Sequence, residues 1–167
     1  MRSELVPMSI KGLMLDPVSN SPIVVLKDDD EKFFLPIWVG IFEANAIALQ
    51  LENITTPRPM THDLLRNMIS ELDARVIRIV INDLRDSTFF AQIRIVVGHS
   101  GGDRTLEVDA RPSDAIALAL RTEAPIYVAQ NVLDQAQTIT PDGEDQDERV
   151  KKWFENLSPE DMGKYKM

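Results

Sequence analysis

The sequence predicts an α+β fold: one domain in which two βββα-like units share a core, followed by a short helical tail. Three observations carry that prediction. The string Ala46-Ile47-Ala48-Leu49-Gln50-Leu51 returns almost unchanged as Ala115-Ile116-Ala117-Leu118-Ala119-Leu120, with Glu43 upstream of the first copy and Asp114 upstream of the second. Similarity at a fixed offset constrains architecture before any single residue is interpreted. Ahead of each copy lies a pair of strand-like segments with a turn between them. Ahead of each pair lies one more strand-like run ending in aspartate, GLMLD at 12–16 and IVIND at 79–83.

The elements follow in order. Gly12 to Asp16 reads as the first strand, and Ile23 to Lys27 with Phe33 to Val39 as a hairpin turning at Asp28-Asp29-Asp30. Three consecutive aspartates cannot all face one ion, so that run reads as a solvated turn. A helix is predicted over Ile41 to Glu52 and a second over Thr61 to Leu72, with Thr61 as its N-cap. Val76 to Ile81 is a nearly continuous apolar run broken by Arg78, as in a central strand. Thr88 to Val97 alternates in the manner of a half-exposed strand and pairs with Thr105 to Val108 across a turn containing Gly101-Gly102. Pro112 to Arg121 is the third helix, with Pro112 in its first turn. The first and third helices are apolar on nearly every face, which predicts burial. Residues 1–135 therefore form the folded body, 136–147 (with TPDGEDQD) a linker, and 148–167 an amphipathic tail. Val150, Trp153, Phe154 and Leu157 give that tail an apolar face that could dock on the body or a protein partner.

Composition limits the function classes. The chain has 167 residues, enough for a core without staples, and no cysteine. Disulfides, zinc–thiolate sites and thiol nucleophiles are excluded, and a reducing compartment fits. No signal-peptide pattern opens the chain, and no apolar run is long enough to span a bilayer, so the expected address is the cytoplasm with no membrane partner. The net charge is −9, with no Lys/Arg cluster. Nucleic-acid affinity comes largely from neutralised phosphates, so tight non-specific duplex binding is not expected. A nuclease that holds DNA or RNA weakly is compatible with this charge if a divalent cation supplies positive charge locally. Trp38, Phe89 and Phe90 sit on strands with apolar residues on both faces, which predicts a homodimer or higher homo-oligomer.

Three polar islands interrupt the apolar pattern: Glu43; Pro57 to Asp63, containing Arg58 and His62; and Asp109 to Asp114, containing Arg111 and Ser113. Helix capping alone could account for Glu43, Asp63 and Asp114. Charge heading a buried helix is costly unless paired or used, however, so the islands are expected to converge. In that arrangement Glu43 and Asp114, with Asp109 in support, could hold Mg²⁺ or Mn²⁺. Arg58 and Arg111 could clamp phosphate, and His62, with Asp63 nearby, could move protons. His99 sits in a glycine-rich turn and is the weaker histidine candidate. No GxSxG, no phosphate-cradling glycine loop and no metal-spaced histidine pair is present.

The strings GLMLDP (12–17), LPIWVGIFEANAIA (35–48), RPMTHDLL (58–65), DARPSDAIALALR (109–121) and APIYV (124–128) resemble the bifunctional nuclease family. The resemblance covers Ser9 to Leu133. It implies an α+β domain that tends to self-associate and a nuclease activity on DNA and RNA. The residue roles above come from chemistry, not from that resemblance. The sequence thus points to a metal-assisted nuclease, with a non-catalytic dimeric interaction or regulatory module as the alternative.

Overall fold

The computed structural model describes residues 4–98 and 101–136. The expected linker beyond 136, the tail helix and His99 lie outside the described residues. Seven strands form one sheet: β1 (Leu5–Leu15), β2 (Pro22–Asp28), β3 (Phe34–Trp38), β4 (Ala74–Arg85), β5 (Thr88–Val97), β6 (Arg104–Ala110) and β7 (Ile126–Ala129). Helices α1 (Ile41–Leu51), α2 (Thr61–Glu71), α3 (Pro112–Thr122) and α4 (Gln130–Gln135) complete an α+β domain. Among the described residues no helix is long and apolar enough to cross a membrane.

The spatial order is β3-β2-β1-β7-β4-β5-β6. One antiparallel meander, β1–β2–β3, precedes α1, and a second, β4–β5–β6, precedes α3. Between them lies β7, antiparallel to β1 and parallel to β4. Common descent of the two runs rests on the sequence echo alone. The sequence patterning did not mark β7 or α4, although β7 is central. Four residues are too few for a period-two signal, and Val128 and Ala129 are buried by their neighbours on both sides. Strand β1 also begins earlier than expected, because Leu5 to Met8 are recruited as the partner of β7.

Alternation decides which side chains meet the helices. Val24, Leu26, Ile37, Ile79, Ile81, Ala91 and Ile93 join Ala44, Ile47 and the whole apolar run Ala115 to Ala119 in one core cluster. Helix α3 lies at its centre, packed on α1, α2, β4 and β5. Its alanines let the neighbouring backbones approach closely. Ala117 is fully buried, so Ala117→Leu is expected to overpack the cluster and cost about 1–3 kcal/mol. A denaturant midpoint unchanged from wild type would contradict that packing.

The expectation that α1 is buried all round is corrected by the structure. Ala44, Ala46, Ile47 and Ala48 face inward, but Ile41, Phe42 and Leu51 are exposed. Helix α2 is more outward still. His62 is its one buried residue, while Leu64, Leu65, Met68 and the following Leu72 are exposed. Thr61 opens α2 as its first residue, and Met60 occupies the cap position.

Candidate active site at the heads of three helices

The first turns of α1, α2 and α3 carry Glu43, Asp63 and Asp114. A carboxylate is favoured there by the helix macrodipole. What joins the helices is the cations between them. Arg111, at the cap position of α3, lies 2.8 Å from Asp114 Oδ2 through Nε. Its Nη2 lies 2.6 Å from Glu43 Oε1 and 2.8 Å from Asp114 Oδ2. One guanidinium nitrogen is thus shared by carboxylates from two helices. The other oxygen of Asp114, Oδ1, is 2.9 Å from His62 Nε2 at the start of α2. A carboxylate accepts, so this contact puts a proton on Nε2, and no contact engages Nδ1 among the described residues.

Hydrogen bonds to Asp114 and then Glu43 hold the Arg111 pKa above its ordinary value. Its side chain is nevertheless 66% exposed, against 29% for Asp114, 14% for Glu43 and 10% for His62. The carboxylates grip Nε and Nη2, and no contact engages Nη1 among the described residues. A guanidinium oriented from one edge and open at the other is suited to an incoming phosphate. Gly40 caps α1 without a side chain, and an ideal Cβ there would collide with Glu43 Oε2. A side chain at position 40 would therefore displace the Glu43 carboxylate from its present position.

Beside this cluster sits a second, more deeply buried pair. Arg121 Nε is 2.8 Å from Asp63 Oδ1, Nη1 donates to Ala117 O at 2.9 Å and Nη2 to Ala46 O at 3.0 Å. The other oxygen of Asp63 accepts from Met60 N–H at 2.9 Å. Burial pushes Asp63 upward. The Met60 and Arg121 hydrogen bonds, with the charges of Arg121 and Arg66, outweigh that effect and hold its pKa below the ordinary aspartate value. With both oxygens so engaged, Asp63 ties α2 to α3 and, through Arg121, to α1.

The structure therefore brings together Glu43, Arg111, Asp114 and His62, with Asp63 alongside, and leaves out two expected members. Arg58 is exposed on the loop before α2, outside the network. Asp109 pairs in register with Gln92 on β5, while its neighbours Val108 and Ala110 pair with core residues Ile93 and Ala91. Strand alternation thus turns Asp109 to the sheet face away from the helices, so it cannot support a metal held by Glu43 and Asp114. Among the described residues no group of three or more His, Cys, Asp or Glu is arranged to hold a metal ion. Arg121 was not singled out from sequence, although one signal was legible: an arginine ending the apolar run Ala115 to Leu120 must find partners.

A model of the bifunctional nuclease domain matches residues 24–141, which includes every residue of this cluster. The chain belongs to that family. An uncharacterized protein of Mycobacterium tuberculosis (strain ATCC 25618 / H37Rv) is 36% identical over 163 residues, covering 92% of this chain and 95% of its own length. Bifunctional nuclease 1 of Oryza sativa subsp. japonica is 25% identical over 118 residues, covering 70% of this chain but 35% of its own. Bifunctional nuclease 1 of Arabidopsis thaliana is 28% identical over 120 residues, 71% of this chain and 36% of its own. The shared domain is thus about a third of the plant proteins that carry the nuclease name. The aligned region spans nearly all of the mycobacterial relative.

Proposed function

We propose that this domain is a nuclease that hydrolyses phosphodiester bonds of DNA or RNA at the Glu43–Arg111–Asp114–His62 cluster. The observation that carries the reading is Arg111, gripped by two carboxylates yet open at Nη1. Phosphodiester transition states gather negative charge on the phosphoryl oxygens, and a preoriented guanidinium stabilises it without reorganising. In this reading Arg111 binds the phosphoryl group and Glu43 and Asp114 hold Arg111 in place. His62, fixed by Asp114, takes the proton of the attacking water on Nδ1 as the P–O bond forms. The leaving oxygen departs with the electrons of the broken bond and is protonated from solvent. The net charge of −9 limits binding, so affinity is weak and falls steeply with salt.

A divalent cation is the second reading, favoured by the approach of Glu43 and Asp114 to one nitrogen. Mg²⁺ or Mn²⁺ would take these two carboxylates as protein ligands and supply Lewis-acid charge. Arg111 Nη2 stands between them, so the ion and the arginine's ion pairs exclude one another, and no step above is assigned to the metal. Chelation separates the readings. With Arg111 as the cation of the site, cleavage of labelled single-stranded DNA and RNA persists in EDTA and is lost in Arg111→Ala. Loss in EDTA, restored by Mn²⁺, would overturn the arginine-centred assignment in favour of the metal.

We also propose that the domain self-associates through α2. Leu64, Leu65, Met68 and Leu72 repeat at helical spacing on its outer side, and Phe42 at the head of α1 is 82% exposed. An exposed apolar row such as that on α2 marks an interaction surface. Trp38 shares this exposure, whereas Phe89 and Phe90 are only partly exposed, so the helical face replaces the strand aromatics as the proposed contact. Leu64→Glu/Met68→Glu is expected to shift sedimentation from dimer to monomer at micromolar concentration. A wild-type monomer at those concentrations would contradict the proposal.

A further inference from the structure

A cavity of about 300 Å³ opens beside the cluster, lined by Trp38, Gly40, Ser87, Phe89, Arg111 and Ser113 among others. It lies where the N-terminal ends of α1 and α3 come together. Gly40 and Arg111 are the two cap residues, and neither helix receives a side-chain cap hydrogen bond. Uncapped first-turn N–H groups and the aligned peptide dipoles favour an anion at such ends. A second observation points to a ligand independently. Ser113 is 5% exposed, yet its hydroxyl has no hydrogen-bond partner among the described residues, and it lines this cavity. The residue is enclosed and its hydroxyl is open to the cavity without a protein partner, so it is placed to hydrogen-bond what enters. Arg111, which also lines the cavity, has Nη1 unengaged.

The wall is aromatic as well as cationic. Trp38 is 54% exposed, and its indole N–H donates to Asp16 Oδ2 at 2.9 Å, which fixes the ring. Val18 N–H and then Trp38 hold the Asp16 pKa below its ordinary value, so the acceptor stays ionised. Phe89 lines the same space. Ser87 reaches it from the two-residue β4–β5 turn, in which Asp86 and Ser87 both take positive φ, at 48° and 60°. Ring faces accept any base by stacking, and an anion site beside them accepts its phosphate. The volume is that of a small-ligand pocket, and no long groove is required.

We propose that this cavity seats the nucleotide that carries the scissile phosphate, that phosphate bound by the Ser113 hydroxyl and Arg111 Nη1 at the α3 N-terminus and the base against Trp38. The substrate class is then a single-stranded or frayed nucleic acid, because a base paired in a duplex cannot reach a ring wall. This assignment rests on the nuclease reading of the neighbouring cluster but makes a separate claim, that of binding.

The test is calorimetric titration of the full chain with thymidine 3′,5′-bisphosphate and, separately, with inorganic phosphate. Ser113→Ala and Trp38→Ala are titrated in parallel after melts confirm folding. The expected result is that the nucleotide binds more tightly than phosphate. Ser113→Ala should weaken both ligands about tenfold, the loss of one hydrogen bond to a charged group. Trp38→Ala should weaken the nucleotide about tenfold through lost stacking and leave phosphate unchanged. Nucleotide binding without cleavage of any nucleic acid would uphold the subsite and end the nuclease reading. Cleavage by wild type and both variants at equal kcat/KM, with no measurable binding of either ligand, would overturn the subsite and leave the nuclease reading standing. Equal affinity of wild type and Ser113→Ala for both ligands would also overturn it.

Discussion

Arg121→Met is expected to cost the fold about 3–5 kcal/mol, since it leaves a charged partner buried and unpaired. The Arg121 side chain is 1% exposed, that of Asp63 15%. One guanidinium closes three gaps at once: the Asp63 carboxylate on α2, the Ala46 carbonyl on α1 and the Ala117 carbonyl on α3. Methionine fills much of the volume but donates nothing, so Asp63 keeps only its Met60 bond in a site water cannot easily reach. The effect is read as a fall in the urea midpoint with an unchanged slope. The pair rather than the arginine should set the magnitude. Asp63→Leu in the Arg121→Met background is therefore expected to recover part of the loss, because a charge no longer has to be buried. A loss below about 1 kcal/mol in the single variant would mean that the pair is hydrated and does not clamp the helices. Acid offers an independent view. Asp63 has its pKa lowered in the folded state, so its contribution is present above the ordinary aspartate range and fades as pH falls through the lowered value. Arg121→Met should lose that part of the acid sensitivity.

Arg111→Ala is expected to lower cleavage by about 10²–10³-fold, the usual consequence of removing a preorganised donor to a developing oxyanion. Stability should barely change, because Arg111 is two-thirds exposed and its ion pairs are screened by water. That contrast with Arg121 is the useful part: two arginines at opposite ends of α3 should separate function from fold. Arg111→Lys is expected to restore little, since an ammonium cannot bridge both carboxylates and still present a planar edge to phosphate. His62→Gln, which can keep a hydrogen bond to Asp114 but cannot take a proton, is expected to lose about 10²-fold or more. Wild-type rates in His62→Gln would reassign His62 as a support for Asp114 only.

Much of the fold could be read from periodicity, and the reasons it could are local. Alternation over Thr88 to Val97 and the all-apolar face of Ala115 to Leu120 each require one environment, and the structure supplies it. β7 could not be read, since its four residues are placed by pairing with β1 and β4, which are distant in sequence. The exposure of Ile41, Phe42 and Leu51 contradicts the reading of α1 as buried on nearly every face. An apolar residue in sequence carries no label for which partner buries it. At the site, convergence of Glu43, His62, Arg111 and Asp114 followed from the cost of charge on inward helices. Asp109 was misplaced because strand parity near the α3 junction is set by the β5–β6 register, which strand periodicity alone does not give. Asp63 was legible as a capping residue, but its second bond depends on Arg121, fifty-eight residues away.

The most direct test of the central claim is the single-turnover rate of phosphodiester cleavage by Asp114→Asn. It should be measured against wild type prepared in parallel, on end-labelled single-stranded DNA and RNA, with matched thermal melts. Among the described residues Asp114 alone touches both Arg111 and His62, so the substitution weakens the phosphate clamp and the proton-transfer pair together. The account predicts a folded protein whose rate falls by about 10²–10⁴-fold on both substrates. A folded Asp114→Asn protein that cleaves at the wild-type rate would contradict it.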